Sequence, residues 1–295
     1  MNRYQILKEL QRKNSNLLLP TGMDFDIEDK VLTIGMKQKG LFANMQTDAS
    51  AFEGWAICLK AWLPEYITKV IISGPIPIFS AEKKREEKHY NRFLYRLKKF
   101  VKTYKWASLS DDYAKAIAEL EKNELVINVP KSKASEKASH KEAQLERVYC
   151  DRHKGEYDCL DHQLPVGLFN NKVAASNAVT SRGFIDIWGV KDDVLTVFEL
   201  KIPTNKMVGI ISELMFYTNV MTDVMKHQIS ILETTKKRSF DKLYSLYQHK
   251  SCKKIKSVFL ADELHTLISS NLPTVLEIIN AGKFQIDTEY SYERP

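Results

Sequence analysis

Two carboxylates and a lysine stand out in the segment GFIDIWGVKDDVLTVFELKIP, because a charged side chain inside an apolar strand is costly unless it has a role. These residues are Asp186, Glu199 and Lys201. Carboxylate oxygens are the ligands that Mg²⁺ prefers, and a water molecule on the bound ion can attack a phosphodiester. The lysine adds a positive group that can position this water or the phosphate. The three residue types together predict a magnesium site for phosphodiester hydrolysis.

The spacing of these residues predicts how they come together. Residues 194–202 alternate, so Glu199 and Lys201 lie on one face of a strand, and Phe198 and Leu200 lie on the other. A tight turn before this strand would join it to the preceding apolar run as an antiparallel hairpin. A slip of one residue would exchange the charged and apolar faces, so the alternation also indicates the register.

In this hairpin Asp186 lies directly opposite Glu199, with the Cβ atoms ~5 Å apart, if the chain turns at Asp192 and Asp193. Like charges that face one another destabilise a sheet unless a cation neutralises them. The tripeptide Glu-x-Lys alone is not diagnostic, because it also begins at Glu28, Glu82 and Glu86. The last two lie in charged helical sequence, and the first is expected to follow no comparable hairpin.

At these residues the sequence resembles the PD-(D/E)xK nuclease superfamily, which has the restriction-endonuclease-like fold. The motif consists of Asp186, twelve further residues and then Glu199-Leu200-Lys201, with Ile185 where the name of the superfamily has proline. The resemblance covers roughly residues 139–290 and does not reach residues 1–130. It implies a metal-dependent phosphodiesterase that uses Mg²⁺, for which Mn²⁺ would substitute.

The resemblance also implies roles for residues on two neighbouring helices. The helix that opens such a core supplies another acidic residue, here Glu142 or Glu146 in KEAQLERVY, with a slight preference for Glu142. In the recombination-exonuclease branch, the helix after the catalytic strand carries Gln-x-x-x-Tyr, and Glu213 and Tyr217 occupy a similar place and would support the site. Lys201 would position or activate water. The implied metal ligands are Asp186, Glu199, Glu142 and the backbone carbonyl of Leu200.

The length of 295 residues indicates two domains, since a typical domain has ~150 residues. The Lys- and Ser-rich stretch that ends at His140 has the composition of a linker. We therefore expect a smaller α+β domain at 1–130, a linker at 131–140, and an α/β domain at 141–295 with a mixed sheet flanked by helices. No internal repeat is evident. Strands are expected at 31–36, 68–72, 163–169, 183–190, 194–202, 256–261 and 283–288, and helices at 50–63, 82–105, 139–152, 206–225 and 272–281.

The chain carries 44 Lys and Arg residues against 37 acidic residues, a net charge of +7 that favours a polyanionic partner such as nucleic acid. Basic residues are concentrated in residues 82–105 and 236–256, either as solvated surface or as contacts to phosphates. The first region holds ten Lys and Arg residues, of which Arg85, Lys88, Arg92, Lys99 and Lys102 lie largely off a predicted apolar stripe of Phe93, Leu97, Phe100, Val101 and Tyr104. The second region holds Lys236, Lys237, Arg238, Lys242, Lys250, Lys253, Lys254 and Lys256.

Two further features allow more than one interpretation. Trp188 shares a face with Asp186, and it either packs in the core, which is favoured, or stacks on a nucleobase. Another set has ligand types suited to zinc but a shorter spacer than usual fingers, so ordinary thiols and surface histidines are favoured. This set consists of Cys150, His153, Cys159 and His162.

The N-terminal sequence lacks the apolar core of a secretion signal, and no apolar run approaches the ~20 residues of a membrane span. We therefore expect a cytoplasmic protein without a membrane partner. In that compartment the cysteines are reduced thiols. The cysteines are Cys58, Cys150, Cys159 and Cys252.

These observations favour a magnesium-dependent nuclease. The resemblance to the superfamily, whose members include restriction enzymes, favours a DNA endonuclease in defence or restriction. Cleavage of two strands would need two sites, so a homodimer is plausible. Removal of Asp186 or Lys201 is expected to abolish cleavage while the protein stays folded, because site-lining charges seldom stabilise a fold. The alternatives are a nucleic-acid-binding protein with an inactive nuclease fold and an RNA-directed nuclease.

Overall fold

The computed structural model of the chain describes residues 1–80, 82–130, 141–232 and 238–295. The predicted linker at 131–140 and the basic residues Lys236 and Lys237 therefore lie outside the described residues. The chain divides into two compact units. The N-terminal unit consists of Met1–Lys122, Met207–Ser212 and Leu264–Lys283, and the C-terminal unit of Asn123–Lys206, Glu213–Glu263 and Phe284–Pro295.

These units differ from the two continuous domains predicted at 1–130 and 141–295, because segments from the second half of the chain complete the N-terminal unit. Within that unit Trp62 Nε1 donates to the carbonyl oxygen of Leu267 at 2.8 Å. The Tyr104 hydroxyl donates to the carbonyl oxygen of Ile279 at 2.9 Å. Apolar periodicity predicts that residues 272–281 form a helix, but it does not show which unit the helix joins.

The N-terminal unit contains a four-stranded sheet with strand order β1-β2-β3-β4. The strands β1 and β2 form an antiparallel hairpin, and β2, β3 and β4 run parallel. The strands are β1 (Met23–Glu28), β2 (Val31–Met36), β3 (Lys69–Ser73) and β4 (Ala107–Leu109). The helices in this part of the chain are α1 (Arg3–Lys13), α2 (Gln38–Leu41), α3 (Phe52–Trp62), α4 (Lys84–Thr103) and α5 (Asp111–Leu120).

Helix α4 buries its predicted apolar stripe, which includes Phe93, Leu97 and Phe100, but it also buries basic residues that were expected outside the core. Arg92 and Lys99 are 3% and 5% exposed, so neither side chain offers a surface contact to phosphates. The position of these residues off the apolar stripe does not predict exposure, because residues elsewhere in the same chain can supply hydrogen-bond acceptors. Arg92, for example, donates to Asn44 Oδ1 at 3.0 Å.

The C-terminal unit contains a five-stranded mixed sheet with order β12-β11-β9-β8-β6, and a three-stranded sheet with order β10-β5-β7. In the larger sheet β8 is antiparallel to both β6 and β9, while β11 is parallel to both β9 and β12. The strands are β5 (Leu125–Ile127), β6 (Cys159–Pro165), β7 (Leu168–Asn170), β8 (Phe184–Lys191), β9 (Val194–Lys201), β10 (Ser230–Ile231), β11 (Lys254–Ala261) and β12 (Asp287–Glu293). The helices in this half of the chain are α6 (Lys141–His153), α7 (Gly209–Met225), α8 (Arg238–His249), α9 (Thr266–Ser269) and α10 (Leu272–Asn280), with short 3-10 helices at Lys154–Glu156 and Ala175–Asn177.

One face of the larger sheet packs on α6 and fixes the orientation of the hairpin formed by β8 and β9. Phe198 and Leu200 lie in this core with Ile187, and Tyr149 of α6 packs against them. The predicted burial of Phe198 and Leu200 is therefore confirmed. Trp188 is fully buried as well, which confirms the core interpretation and leaves no open ring face for a nucleobase.

The last strand is displaced from its predicted position at 283–288. It spans Asp287–Glu293, because its parallel pairing with β11 begins where Asp287 meets Lys254. Across the described part of the chain, no helix is long and apolar enough to cross a membrane.

Candidate active site

The hairpin formed by β8 and β9 has the register that the sequence predicts. Lys191 pairs with Val194, and the pairing continues without a slip to Ile187 and Phe198. Asp192 and Asp193 form the two-residue turn, and both have positive φ, 52° and 22°. Turns with positive φ at both central residues match the twist of the flanking strands. Asp186 and Glu199 are the next residues beyond the last of these pairs.

The carboxylate of Asp186 is held at the end of this ladder by a backbone contact. Its Oδ2 atom accepts a hydrogen bond of 2.9 Å from the N–H of Leu200. Asp186 therefore reaches across to the backbone between Glu199 and Lys201. The role of the Leu200 carbonyl as a metal ligand, which the resemblance implies, stays a prediction.

Lys201 connects the hairpin to helix α7. Its ammonium group is paired with the carboxylate of Glu199 and lies 3.1 Å from Glu213 Oε2. All three residues are buried, and Lys201 is only 7% exposed. Glu213 is therefore part of the same cluster as the strand residues, in the position that the motif on α7 predicts.

Tyr217 fixes Glu213 from one helical turn away. Its hydroxyl donates to Glu213 Oε1 at 3.0 Å, and the tyrosine is buried. Residues four apart share a helix face, so the Glu-x-x-x-Tyr spacing places both side chains toward the sheet. Tyr217 acts on the cluster through Glu213, which in turn contacts Lys201.

Helix α6 contributes Glu146, whereas the sequence slightly preferred Glu142. Glu146 is 2% exposed, and its charge acts on Asp186 and Lys201. Glu142 is half-buried, one turn earlier on the helix. The geometry thus favours Glu146, because its position on α6 directs it inward while Glu142 lies nearer the solvent.

Sequence reasoning missed Gln163, which holds Glu146 in place. Its Nε2 donates to both carboxylate oxygens of Glu146 at 2.9 Å. Gln163 has a positive φ of 56°, and the pairing of β6 with β8 skips it, so that it stands opposite Asp186. A positive φ at a residue other than glycine is uncommon, and an isolated glutamine in a strand gives no sign of it.

The electrostatics of the cluster follow from its burial. Burial raises the pKa of Asp186 to about 7, and the negative charges of Glu213 and Glu146 add to this effect, while Lys201 opposes it. Burial and the charge of Asp186 likewise raise the pKa of Glu199 well above its usual value. Burial lowers the pKa of Lys201, but Glu199 and the other carboxylates outweigh this and raise it well above its usual value.

The cluster contains more acidic groups than basic ones. The ammonium group of Lys201 contacts the carboxyl groups of Glu199 and Glu213, and those of Asp186 and Glu146 act on the same site electrostatically. Among the residues that the structure describes, Glu199 Oε2 is buried without a hydrogen-bond donor. Either protons or a further cation must compensate this excess, since an uncompensated buried charge is strongly unfavourable.

A hard divalent cation fits the donor set, which consists of carboxylate oxygens. The candidate ligands for such an ion are the carboxylates of Asp186 and Glu199, with that of Glu146 on helix α6. Within residues 1–80, 82–130, 141–232 and 238–295, no group of three or more His, Cys, Asp or Glu side chains is arranged to coordinate a metal as it stands. The pairing of Lys201 with Glu199 and Glu213 occupies the carboxylates in this arrangement.

The four residues considered for zinc have other surroundings. Cys150 belongs to the apolar core on α6. His153 stacks on Tyr149 with 4.3 Å between ring centroids, and its Nδ1 lies 2.8 Å from Glu156 Oε1. Cys159 lies in β6, and His162 lies 3.2 Å from Asp161 of the same strand.

The second basic region is partly neutralised by ion pairs. Lys253 lies 2.8 Å from Asp193, and Lys254 lies 2.7 Å from Glu289. The exposed residues Lys242, Lys250 and Lys256 remain as candidates for contacts to phosphates.

Asp186→Asn is expected to stabilise the metal-free protein near pH 8, by about 1–3 kcal/mol. The pKa of Asp186 is raised in the folded chain, to about 7, so the folded state binds this proton more tightly than the unfolded state. The stability from this group is complete below pH ~4 and is lost as the pH rises through about 7. Urea denaturation of both proteins in EDTA, from about pH 8 to about pH 5, should show the difference shrinking on acidification. A constant difference, or a more stable wild type near pH 8, would contradict the expected desolvation of Asp186.

No protein-family model, curated protein or solved structure matches this chain. A functional proposal therefore rests on the residues and their geometry.

Proposed function

We propose that the chain is a magnesium-dependent nuclease that hydrolyses phosphodiester bonds at the cluster around Lys201. The observation that carries this proposal is the group of carboxylates at the end of the hairpin formed by β8 and β9, where Glu146, Glu199 and Glu213 are buried and Asp186 is half-buried. Three buried acidic groups and a half-buried fourth beside one lysine are costly for a fold, which indicates that they serve a function. Binding a hard cation beside a phosphate is a task that fits these groups.

The order of elements supports the same proposal. Helix α6 precedes the antiparallel strands β6, β8 and β9, and helix α7 then leads to β11, which is parallel to β9. This mixed sheet, with acidic residues supplied by both helices and by the hairpin, is compatible with the restriction-endonuclease-like core that the motif implies.

Each residue of the cluster has a role in this proposal. Asp186 and Glu199 hold the ion, and Glu146 completes the set directly or through water. Lys201 positions the attacking water or the phosphate, and Glu213 restrains Lys201. The carbonyl of Leu200 is a further ligand in the family pattern. The ion, when bound, lowers the pKa of a coordinated water and stabilises charge on the phosphate.

DNA is the proposed substrate, with endonucleolytic cleavage in defence against foreign DNA as the biological setting. The net charge of +7 and the exposed lysines of the second basic region favour a polyanion. RNA is the alternative substrate, because the same carboxylates can serve either sugar.

The test is a cleavage assay with supercoiled plasmid, linear duplex DNA, single-stranded DNA and RNA. Each substrate is incubated with the full chain in Mg²⁺, in Mn²⁺ and in EDTA. We expect cleavage of DNA that requires the metal and is lost in Asp186→Asn. Cleavage that persists in Asp186→Asn would place the activity elsewhere or reveal a contaminant.

A nucleic-acid-binding protein without hydrolysis is the second candidate, and the close pairing of Lys201 with Glu199 and Glu213 favours it. In that case Lys201 would have a structural role, replacing the ion. Tight binding to duplex DNA, with no cleavage in either metal, would support this candidate over the first.

A further inference from the structure

The two units contain hairpins of the same design. In the N-terminal unit the antiparallel hairpin β1-β2 is followed by β3 parallel to β2 and β4 parallel to β3. In the C-terminal unit the antiparallel hairpin β8-β9 is followed by β11 parallel to β9 and β12 parallel to β11. Helix α3 follows the first hairpin and helix α7 follows the second, each before the next parallel strand. The strand order and directions therefore match over four strands.

The turns of the two hairpins also match. Asp29 and Lys30 join β1 to β2 with φ of 48° and 64°, and Asp192 and Asp193 join β8 to β9 with φ of 52° and 22°. Both are two-residue connections between directly paired strands. Glu28, which was expected to follow no comparable hairpin, in fact ends a strand of one. The Glu-x-Lys sequence of this first hairpin spans its turn. In the second hairpin the carboxylates of Asp186 and Glu199 lie at the opposite end, six residues from the turn.

Counting from the turns identifies the equivalent positions. Asp186 lies six residues before its turn, and Met23 lies six residues before the other. Glu199 lies six residues after its turn, where the first hairpin has Met36. Met23 and Met36 face one another as a pair and are 0% and 3% exposed. The position of Lys201 corresponds to Gln38.

The helix after the first hairpin also lacks surplus acidic charge. Glu53 on α3 is buried, but it is paired with the buried guanidinium of Arg96. It further accepts a hydrogen bond of 2.7 Å from the hydroxyl of Ser212. A paired and hydrogen-bonded carboxylate needs no additional cation.

We infer that the N-terminal unit is a silent copy of the catalytic core, with an apolar methionine pair in place of the carboxylate pair. This inference rests on the proposed function. Within the described part of the chain there is then one cation-binding centre, which cuts one strand. A second copy of this chain must supply the centre that cuts the other strand of a duplex.

The first experiment measures binding of Mn²⁺ to the full chain by isothermal titration, without nucleic acid. We expect one carboxylate-dependent equivalent per chain, and its loss in Asp186→Asn. Met23→Leu and Met36→Leu are matched controls, since a volume-conserving change in the apolar pair leaves metal binding unaffected. An equivalent that survives Asp186→Asn with comparable affinity would show a second centre and overturn the inference.

The second experiment mixes wild-type chains one to one with Glu199→Gln chains before dilution, at constant total protein. If paired chains cut both strands, the linear product of a supercoiled plasmid should fall to about a quarter, with nicked product rising. If unmixed wild-type protein forms only nicked plasmid and no linear product, that result also supports one centre per chain. Linear product that falls only in proportion to the wild-type fraction would mean that one chain cuts both strands, which overturns the inference.

Failure of the proposed function has a different signature. If the wild-type chain neither binds Mn²⁺ nor cleaves any nucleic acid, the proposed catalytic centre is wrong, and the inference fails with it. If the chain binds two equivalents of Mn²⁺ and cleaves DNA, the proposed function stands, and only the inference that the N-terminal unit is a silent copy is wrong.

Discussion

Glu199→Gln should lower the rate of metal-dependent DNA cleavage by at least ~10³-fold while the protein remains folded. The substitution keeps the shape of the side chain but removes the central charge of the cluster, which contacts Lys201 and has an unbonded oxygen in Oε2. Lys201 keeps its ion pair with Glu213, and a buried amide costs less than a buried carboxylate, so the free energy of unfolding should not fall. Single-turnover cleavage at saturating Mg²⁺ measures the rate, and circular dichroism measures the folding.

The control for this result compares the two acidic residues of α6. Glu146→Gln should reduce cleavage, because Glu146 is buried beside Asp186 and Lys201. Glu142→Gln, one turn earlier and half-buried, should retain nearly full activity. Equal losses in both variants would mean that the metal draws α6 into a different orientation from the one described.

The hairpin could be predicted from the sequence because its signals are local. Strand alternation has a period of two, and a turn centred on Asp192 and Asp193 leaves one register compatible with it. Glu213 and Tyr217 were identified through the resemblance to a family motif, and their four-residue spacing on a helix puts both side chains on one face. These features depend on residues close together in sequence.

The features that were missed depend on contacts between distant residues. The burial of Arg92 depends on an acceptor from another element, Asn44, which no periodicity in α4 can show. Gln163 becomes part of the site only because β6 pairs with β8 on either side of it. The choice between Glu142 and Glu146 likewise depends on how α6 rests on the sheet, not on the spacing of its residues.

The repeated hairpin was invisible for a related reason. A sequence repeat is sought through similar side chains, but only the backbone pattern is common to β1-β2 and β8-β9. At the positions that would reveal a common chemistry, one hairpin has methionines and the other has carboxylates. Topology can persist in an apolar core of different residues, because a strand requires pattern and volume rather than particular side chains.

Lys201→Met should destabilise the metal-free protein by about 3–5 kcal/mol, because breaking a buried ion pair leaves an uncompensated charge. From sequence alone, this lysine was expected to be dispensable for folding, as a site-lining charge. The structure instead shows it 7% exposed and paired with two buried carboxylates, Glu199 and Glu213. Methionine approximates the length of the lysine, so the loss reports the charge more than the packing.

A double-mutant cycle separates this effect from general damage to the core. In Lys201→Met with Glu199→Gln, the carboxylate left unpaired by the first change is neutral, so part of the lost stability should return. The expected coupling is about 1–3 kcal/mol, measured by urea denaturation in EDTA near pH 8. Added Mg²⁺ should also restore stability to the single variant Lys201→Met but not to the double variant, since Glu199 is then unable to bind the ion as a carboxylate. Strictly additive losses, with no recovery in Mg²⁺, would mean that Lys201 contributes through its aliphatic chain and that its charge does not balance the carboxylates of the cluster.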